Sequence, residues 1–174
     1  MESLTEKQMR DGLGLLDQKL NQKLTLILGG GGAMVLAYHF PLSTMDLDAI
    51  AKGMDLSEIS SLIREVAEEL HLPSDWINPH FSSFIFSLPD DYGDRLTTVF
   101  EGANLTVEAL GREDLLIMKC FAHRNKDIGH ALALIKSGAD LNIVETQIEK
   151  CINDRIPGSQ EAIDFLDDLL GQLE

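Results

Sequence analysis

Leu24 to Ile50 reads LTLILGGGGAMVLAYHFPLSTMDLDAI, and the fold turns on how this stretch is divided. Leu24 to Leu28 is a short apolar run, the length of one buried strand. Gly29 to Gly32 follow, and then Ala33 to His39, an apolar segment that suits a helix. Ser43-Thr44-Met45-Asp46-Leu47-Asp48 then sets two carboxylates two residues apart in an apolar setting. Alternate side chains of a strand share a face, so this spacing sends Asp46 and Asp48 one way and Met45, Leu47 and Ala49 toward the core. Carboxylates held that close repel, and each has its pKa pushed up unless a cation lies between them. Such an oxygen pair suits magnesium, which takes one or two carboxylates and completes its shell with water and substrate phosphates. The glycines point to the same chemistry. A strand that ends in glycine and enters a helix brings backbone N–H groups up to a phosphate with no side chain in the way.

Strand, Gly-Gly, helix and then Asp-x-Asp on the next strand resembles the pattern of the nucleotidyltransferase superfamily, the DNA polymerase β-like fold. Here Gly30 and Gly31 match the small-residue pair and Asp46 and Asp48 match the metal carboxylates. The glycine run is four long, so a register one residue away stays open. Thr44, two residues before Asp46, matches a threonine of the small bacterial toxin-like branch related to abortive-infection nucleotidyltransferases. Further on, Glu113 to Ile128 (EDLLIMKCFAHRNKDI) resembles the Leu-x-x-x-Lys-x-x-Ala-x-Arg-x-Lys-Asp helix of that branch. Asp75-Trp76-Ile77-Asn78, after Leu72-Pro73, resembles another of its segments.

The resemblance implies an enzyme that moves a nucleoside monophosphate from an NTP to an RNA or protein acceptor, using Mg2+ (or Mn2+), in a toxin–antitoxin or phage-defence setting with a cognate protein partner. It implies Asp46 and Asp48 as catalytic metal ligands, and Gly30, Gly31, Thr44, Lys119 and Arg124 as nucleotide-binding residues. Lys119 and Asp127 are the further catalytic groups, with Asp127 orienting Lys119 or Arg124 or touching metal-bound water. A plainer reading makes Asp127 a helix-start carboxylate stabilised by the helix dipole. The superfamily also uses a third carboxylate on a neighbouring strand. Glu108 is the acidic residue inside the strand Leu105 to Leu110, which makes it the candidate third metal ligand; an exposed strand glutamate is the plainer reading. The chain departs from the branch in having Ser43 before Thr44 and no arginine between the glycines and Asp46. These departures keep a second function open, a catalytically inactive nucleotidyltransferase-fold binding protein or antitoxin-like partner. A third reading is an unrelated α/β domain in which the glycines and aspartates coincide by chance.

The 174 residues are the size of one domain, and 44% apolar residues supply a core. No apolar run reaches the ~18–20 residues that span a bilayer. The opening MESLTEKQMRDGLG is polar and mixed in charge, unlike a secretory signal, so a cytoplasmic protein with no membrane partner is expected. Cys120 and Cys151 have no metal-like spacing and read as buried thiols. His39, His71, His80, His123 and His130 are scattered without zinc-like spacing, and none is assigned to a metal. A net charge of −15, from 29 acidic against 14 basic residues, opposes non-specific DNA binding. Basic residues nevertheless gather at Arg112, Lys119, His123, Arg124 and Lys126. They are either the counter-charge of a triphosphate or one solvated helix face.

The remaining pattern gives an α/β (α+β) fold, a small mixed sheet flanked by helices with a helical C-terminal half. One nucleotidyltransferase-like domain is expected over 1–174, with the sheet in about 1–110 and C-terminal helices in about 111–174. A helix over 3–21 carries Leu13, Leu15, Leu16 and Leu20, weakened by Gly12 and Gly14. A second starts near Ser57 with the stripe Ile59, Leu62, Ile63, Val66, Ala67 and Leu70. A helical turn is expected around Asp75 to Asn78, with Trp76 as a core anchor and base stacking as its sharper alternative. Leu96 to Phe100 and Leu105 to Leu110 form a hairpin about Glu101 to Asn104. Helices follow at Arg112–Ala122, Lys126–Lys136, Asn142–Asn153 with Asn142 as cap, and Ser159–Leu173.

Overall fold

The computed structural model describes residues 3–41 and 44–174. Ser43, one of the departures noted above, lies outside the described residues. The chain divides into two compact units, Met1–Ser82 with Leu96–Leu110, and Ser83–Arg95 with Gly111–Glu174.

The first unit holds α1 (Glu6–Lys19), β1 (Leu24–Leu28), α2 (Gly30–Tyr38), β2 (Leu47–Ala51), α3 (Ser60–Leu70), β3 (Ile77–Asn78), β4 (Thr97–Glu101) and β5 (Leu105–Ala109). The strands form one mixed sheet in the order β3-β2-β1-β5-β4. β1 runs antiparallel to β2, with Leu28 opposite Ala49, and parallel to β5, with Ile27 opposite Glu108. β2 runs parallel to β3, with Asp48 opposite Asn78. The central strand is covered on both faces, and accordingly Leu26, Ile27 and Leu28 are all buried in succession. On β5 only alternate residues, Leu105, Val107 and Ala109, are buried.

Thr5 caps α1 through a capping box with Gln8, and Met9, Leu13 and Leu16 of this helix enter the core. Gly12 has a packing reason: a Cβ there would stand 2.7 Å from the Trp76 ring. Trp76 is fully buried and donates its indole N–H to the Ile63 carbonyl at 3.0 Å, as a core anchor does. Its neighbours do not form the expected helical turn. Leu47 donates its N–H to the Trp76 carbonyl at 2.7 Å, so the edge of β2 draws Ile77 and Asn78 into the sheet as β3. The start of the next expected helix also differs. Asp55 is the cap, in a capping box with Glu58, over a 3-10 turn at Leu56–Ile59 that leads into α3, whose helix begins at Ser60. Met45 is 41% exposed, not in the core, because it sits in the bend before β2 and strand alternation begins only at Leu47.

The second unit holds α4 (Arg112–Ala122), α5 (Ile128–Lys136), α6 (Leu141–Asn153) and α7 (Ser159–Gly171). α4 buries Leu115, Leu116, Ile117, Cys120 and Phe121. Asp114, fully buried, accepts two hydrogen bonds from Arg95, at 3.0 and 2.8 Å, a planar bidentate pair. α6 is capped by Asp140, whose carboxylate accepts the Asn142 N–H at 3.0 Å; Asn142 itself is not the cap. The helix expected from Lys126 begins at Ile128, after a 3-10 turn at Asn125–Asp127. Both cysteines are free and buried, and burial pushes the Cys120 thiol up to about 12. Among the described residues no helix is long and apolar enough to cross a membrane.

Candidate functional site

At the end of β1 the chain passes directly into α2. The expected glycine turn with a helix from Ala33 is therefore shorter, since Gly30, Gly31 and Gly32 form the first turn of the helix itself. Glycine in a helix costs backbone entropy, yet a side chain would not fit here. Gly30 has φ of +60°, and a Cβ on it would overlap Asp48 Oδ2. A Cβ on Gly31 would lie 3.3 Å from the Thr44 hydroxyl, and one on Gly32 would overlap the Leu47 side chain. Gly29 donates its N–H to the Asp48 carbonyl at 2.9 Å, which ties the two strand ends together. The Asp48 carboxylate thus rests against the opening residue of α2, where unsatisfied backbone N–H groups and the helix dipole favour negative charge.

Asp46 is placed by the bend in front of β2. The Thr44 hydroxyl donates to the Asp46 carbonyl at 3.0 Å, and the Thr44 carbonyl accepts the Leu4 N–H at 2.7 Å. From the other side comes the segment after β3. Asn78, opposite Asp48 in the sheet, is buried and accepts the His80 N–H on its side-chain oxygen at 3.0 Å, a local turn across Pro79. Phe81 follows as a buried anchor, its ring 2.9 Å from where a Cβ of Gly29 would lie. The outcome is a group of Asp46, Asp48 and His80 in which one ligand atom from each lies within 4.8 Å of the others. The aspartates are half-buried and the imidazole is exposed. Two carboxylates and an imidazole form a donor set for a divalent cation, whose ligands at about 2.1–2.3 Å stand up to about 4.6 Å apart.

Glu108 is not in this group. Its carboxylate pairs with Lys52 Nζ at 2.7 Å. Ile27 faces both Ile50 on β2 and Glu108 on β5, so Asp48, Ile50, Lys52 and Glu108 share one face of the sheet. The candidate third carboxylate thus lies on the appropriate face but is held by a cation of the same chain.

In the helical unit the motif residues converge on Asp127. Lys119 and Asp127 are 6% and 3% exposed, and Lys119 Nζ lies 2.9 Å from one carboxylate oxygen. Arg124 Nε donates to the other oxygen at 2.5 Å. Burial alone would push the Asp127 carboxyl up, but hydrogen bonds from Arg124 and Lys119 and their positive charges hold it below the ordinary value. His130, half-buried nearby, is pushed down by burial and by the positive charge of Lys119. The basic run is therefore not one solvated helix face. Lys119 is inside, Arg124 and Lys126 are exposed, and His123 closes α4 in the left-handed conformation with its ring on the Phe121 carbonyl.

His80 is the member of the group that the sequence reading left out. Its signal was faint: a histidine just past Asn-Pro, in a segment that only sheet pairing brings beside Asp48.

A family model described as nucleotidyltransferase of unknown function (DUF6036) matches residues 8–164 of the chain. Neither a curated protein nor a solved structure matches it.

Proposed function

This chain belongs to that family of nucleotidyltransferases, and from this premise we propose a transfer of a nucleoside monophosphate from an NTP to an RNA or protein acceptor, dependent on a divalent cation. The observation that carries the reading is the Asp48 carboxylate seated on Gly30 at the start of α2, with Asp46 and His80 within 4.8 Å. The donor set and the close glycine contact both fit a cation site, and Asp46 and Asp48 are the residues that hold Mg2+ or Mn2+ in this reading. The chemistry such a cation supplies is neutralisation of triphosphate charge and polarisation of the α-phosphate.

The chain's own groups do the rest by positioning and by fixed charge. The backbone N–H groups of the first turn of α2, at Gly30 and Gly31, donate to the phosphates. Thr44 holds the bend that aims Asp46, through its hydrogen bond to the Asp46 carbonyl. The acceptor hydroxyl attacks the α-phosphorus, the bond to the bridging oxygen breaks, and pyrophosphate leaves. Lys119, Arg124 and Asp127 keep the charge-balancing and orienting roles that the resemblance gives them, and of these the contact of Asp127 with both cations bears on the orienting role alone. A toxin–antitoxin or phage-defence setting in the cytoplasm, with one functional domain and a cognate partner, completes the proposal.

A thermal-shift experiment tests it. The wild type gains stability with a nucleoside triphosphate and magnesium or manganese, and Asp46→Ala with Asp48→Ala loses the gain. Labelled triphosphates offered with total RNA or protein then identify the acceptor. No shift with any of the four ribonucleoside triphosphates at millimolar concentration overturns the enzyme reading. One observation favours the second reading, an inactive binding or antitoxin-like partner: the Lys52 contact that occupies Glu108. Nucleotide binding without labelling of any acceptor is its expected result.

A further inference from the structure

We propose that His80 is a protein ligand of the cation held by Asp46 and Asp48, standing in for Glu108, and that its nitrogen turns the site's preference from magnesium toward manganese and the later first-row divalent ions. The proposal rests on the cation-dependent reading above but adds to it, because that reading needs only the two carboxylates.

Three observations carry it. First, the backbone at His80 is fixed although its ring is exposed. Asn78 is paired with Asp48 across β2 and β3 and holds the His80 N–H at 3.0 Å. On the other side Phe81 is buried against Gly29. A side chain between two such anchors stays beside the aspartates at little entropic cost. Second, a ring nitrogen of His80 already lies within 4.8 Å of both carboxylates, whereas Glu108 is engaged by Lys52 at 2.7 Å. Third, the donor chemistry differs. Magnesium is a hard ion that prefers oxygen ligands and retains its waters. Imidazole is a better ligand for transition ions, whose affinity for nitrogen rises from manganese onward. Replacing a third carboxylate by a histidine also lowers the negative charge of the site by one, which weakens its hold on a purely ionic partner.

The test reads metal binding directly, without nucleotide or turnover. Manganese binding to the full chain is followed by electron paramagnetic resonance, and magnesium by competition. The wild type is expected to bind Mn2+ at least about tenfold more tightly than Mg2+, with nitrogen hyperfine modulation from one imidazole. His80→Ala should weaken Mn2+ by about tenfold or more, leave Mg2+ within about threefold, and remove the nitrogen modulation. His80→Asp should recover binding without the modulation and narrow the ratio between the two ions. Circular dichroism confirms that each variant is folded. Manganese binding that needs Asp46 and Asp48 but shows no nitrogen modulation and is unchanged in His80→Ala overturns the proposal and leaves the nucleotidyl-transfer reading standing. A wild type that binds neither cation nor nucleotide overturns both.

Discussion

In the sheet-bearing unit Asp46 and Asp48 bring like charges together at a half-buried position beside an imidazole, whereas in the helical unit one carboxylate, Asp127, is buried beneath two cations. The two clusters bring together charges of opposite relation, like in the first and unlike in the second. Neighbouring carboxylates repel, and a cation between them relieves that repulsion. Opposite charges in a low-dielectric setting hold each other, so the second is satisfied without a ligand, and removing one member leaves a buried charge behind. The two clusters therefore differ in kind: one gathers carboxylates and an imidazole at a half-buried position, the other closes a buried carboxylate with two cations.

The sharpest way to break this contrast is Asp127→Ala. With Lys119 left buried and uncompensated, stability should fall by about 3–5 kcal/mol, read by urea unfolding. A loss below about 1 kcal/mol would show that the buried pair holds nothing together. Next comes Gly30→Ala, which forces a side chain into a left-handed conformation and against the Asp48 carboxylate. It should cost about 1–3 kcal/mol and weaken binding of magnesium and triphosphate beyond what that loss explains. The double change Asp46→Ala with Asp48→Ala should do the reverse in the absence of ligand. Thermal melting should be unchanged or slightly higher, since repulsion is relieved. A marked fall would mean that the aspartates are structural.

Acid titration separates the clusters in another way. The Asp127 carboxyl lies below its ordinary value of 3.8 in the folded protein. Its contribution to stability is thus complete above that value and is lost as pH falls through the folded value. Asp127→Asn should flatten the acid limb of a stability–pH curve below about pH 4 and leave the slope at neutral pH alone. The smallest effect belongs to Lys52→Ala. Its partly exposed pair with Glu108 should be worth less than about 1 kcal/mol, so stability hardly moves. Tighter magnesium binding in this variant would show that freeing Glu108 adds a ligand.

Local patterns were legible in the sequence wherever the physics is local. The apolar run of β1, the glycines, the alternation from Leu47 to Ala49 and the helical stripes of α3, α4 and α6 depend on near neighbours. Asp46 and Asp48 could be placed together for the same reason. What escaped depends on distant parts of the chain. Ile77 and Asn78 have no strand pattern of their own and join the sheet only because β2 offers an unpaired edge. His80 follows from that pairing, so a reader who took 75–78 as a helical turn had no route to it. The caps at Asp55 and Asp140 were missed for a smaller reason. In each case an aspartate stands two residues before the Ser or Asn whose N–H its charged carboxylate accepts.

Trp76 gives the chain a built-in optical label. It is the single tryptophan, it belongs to the sheet-bearing unit, and its fully buried indole has Gly12 as a floor and the Ile63 carbonyl as its hydrogen-bond acceptor. Emission excited at the red edge of the indole band therefore comes from that unit alone, while far-ultraviolet dichroism sums the helices of both. The carbonyl of the same residue takes the Leu47 N–H, one residue from each aspartate. The fluorophore is thus wired by one hydrogen bond to the strand that carries the metal ligands, and a titration with manganese, a paramagnetic quencher, can be followed through it with no dye attached.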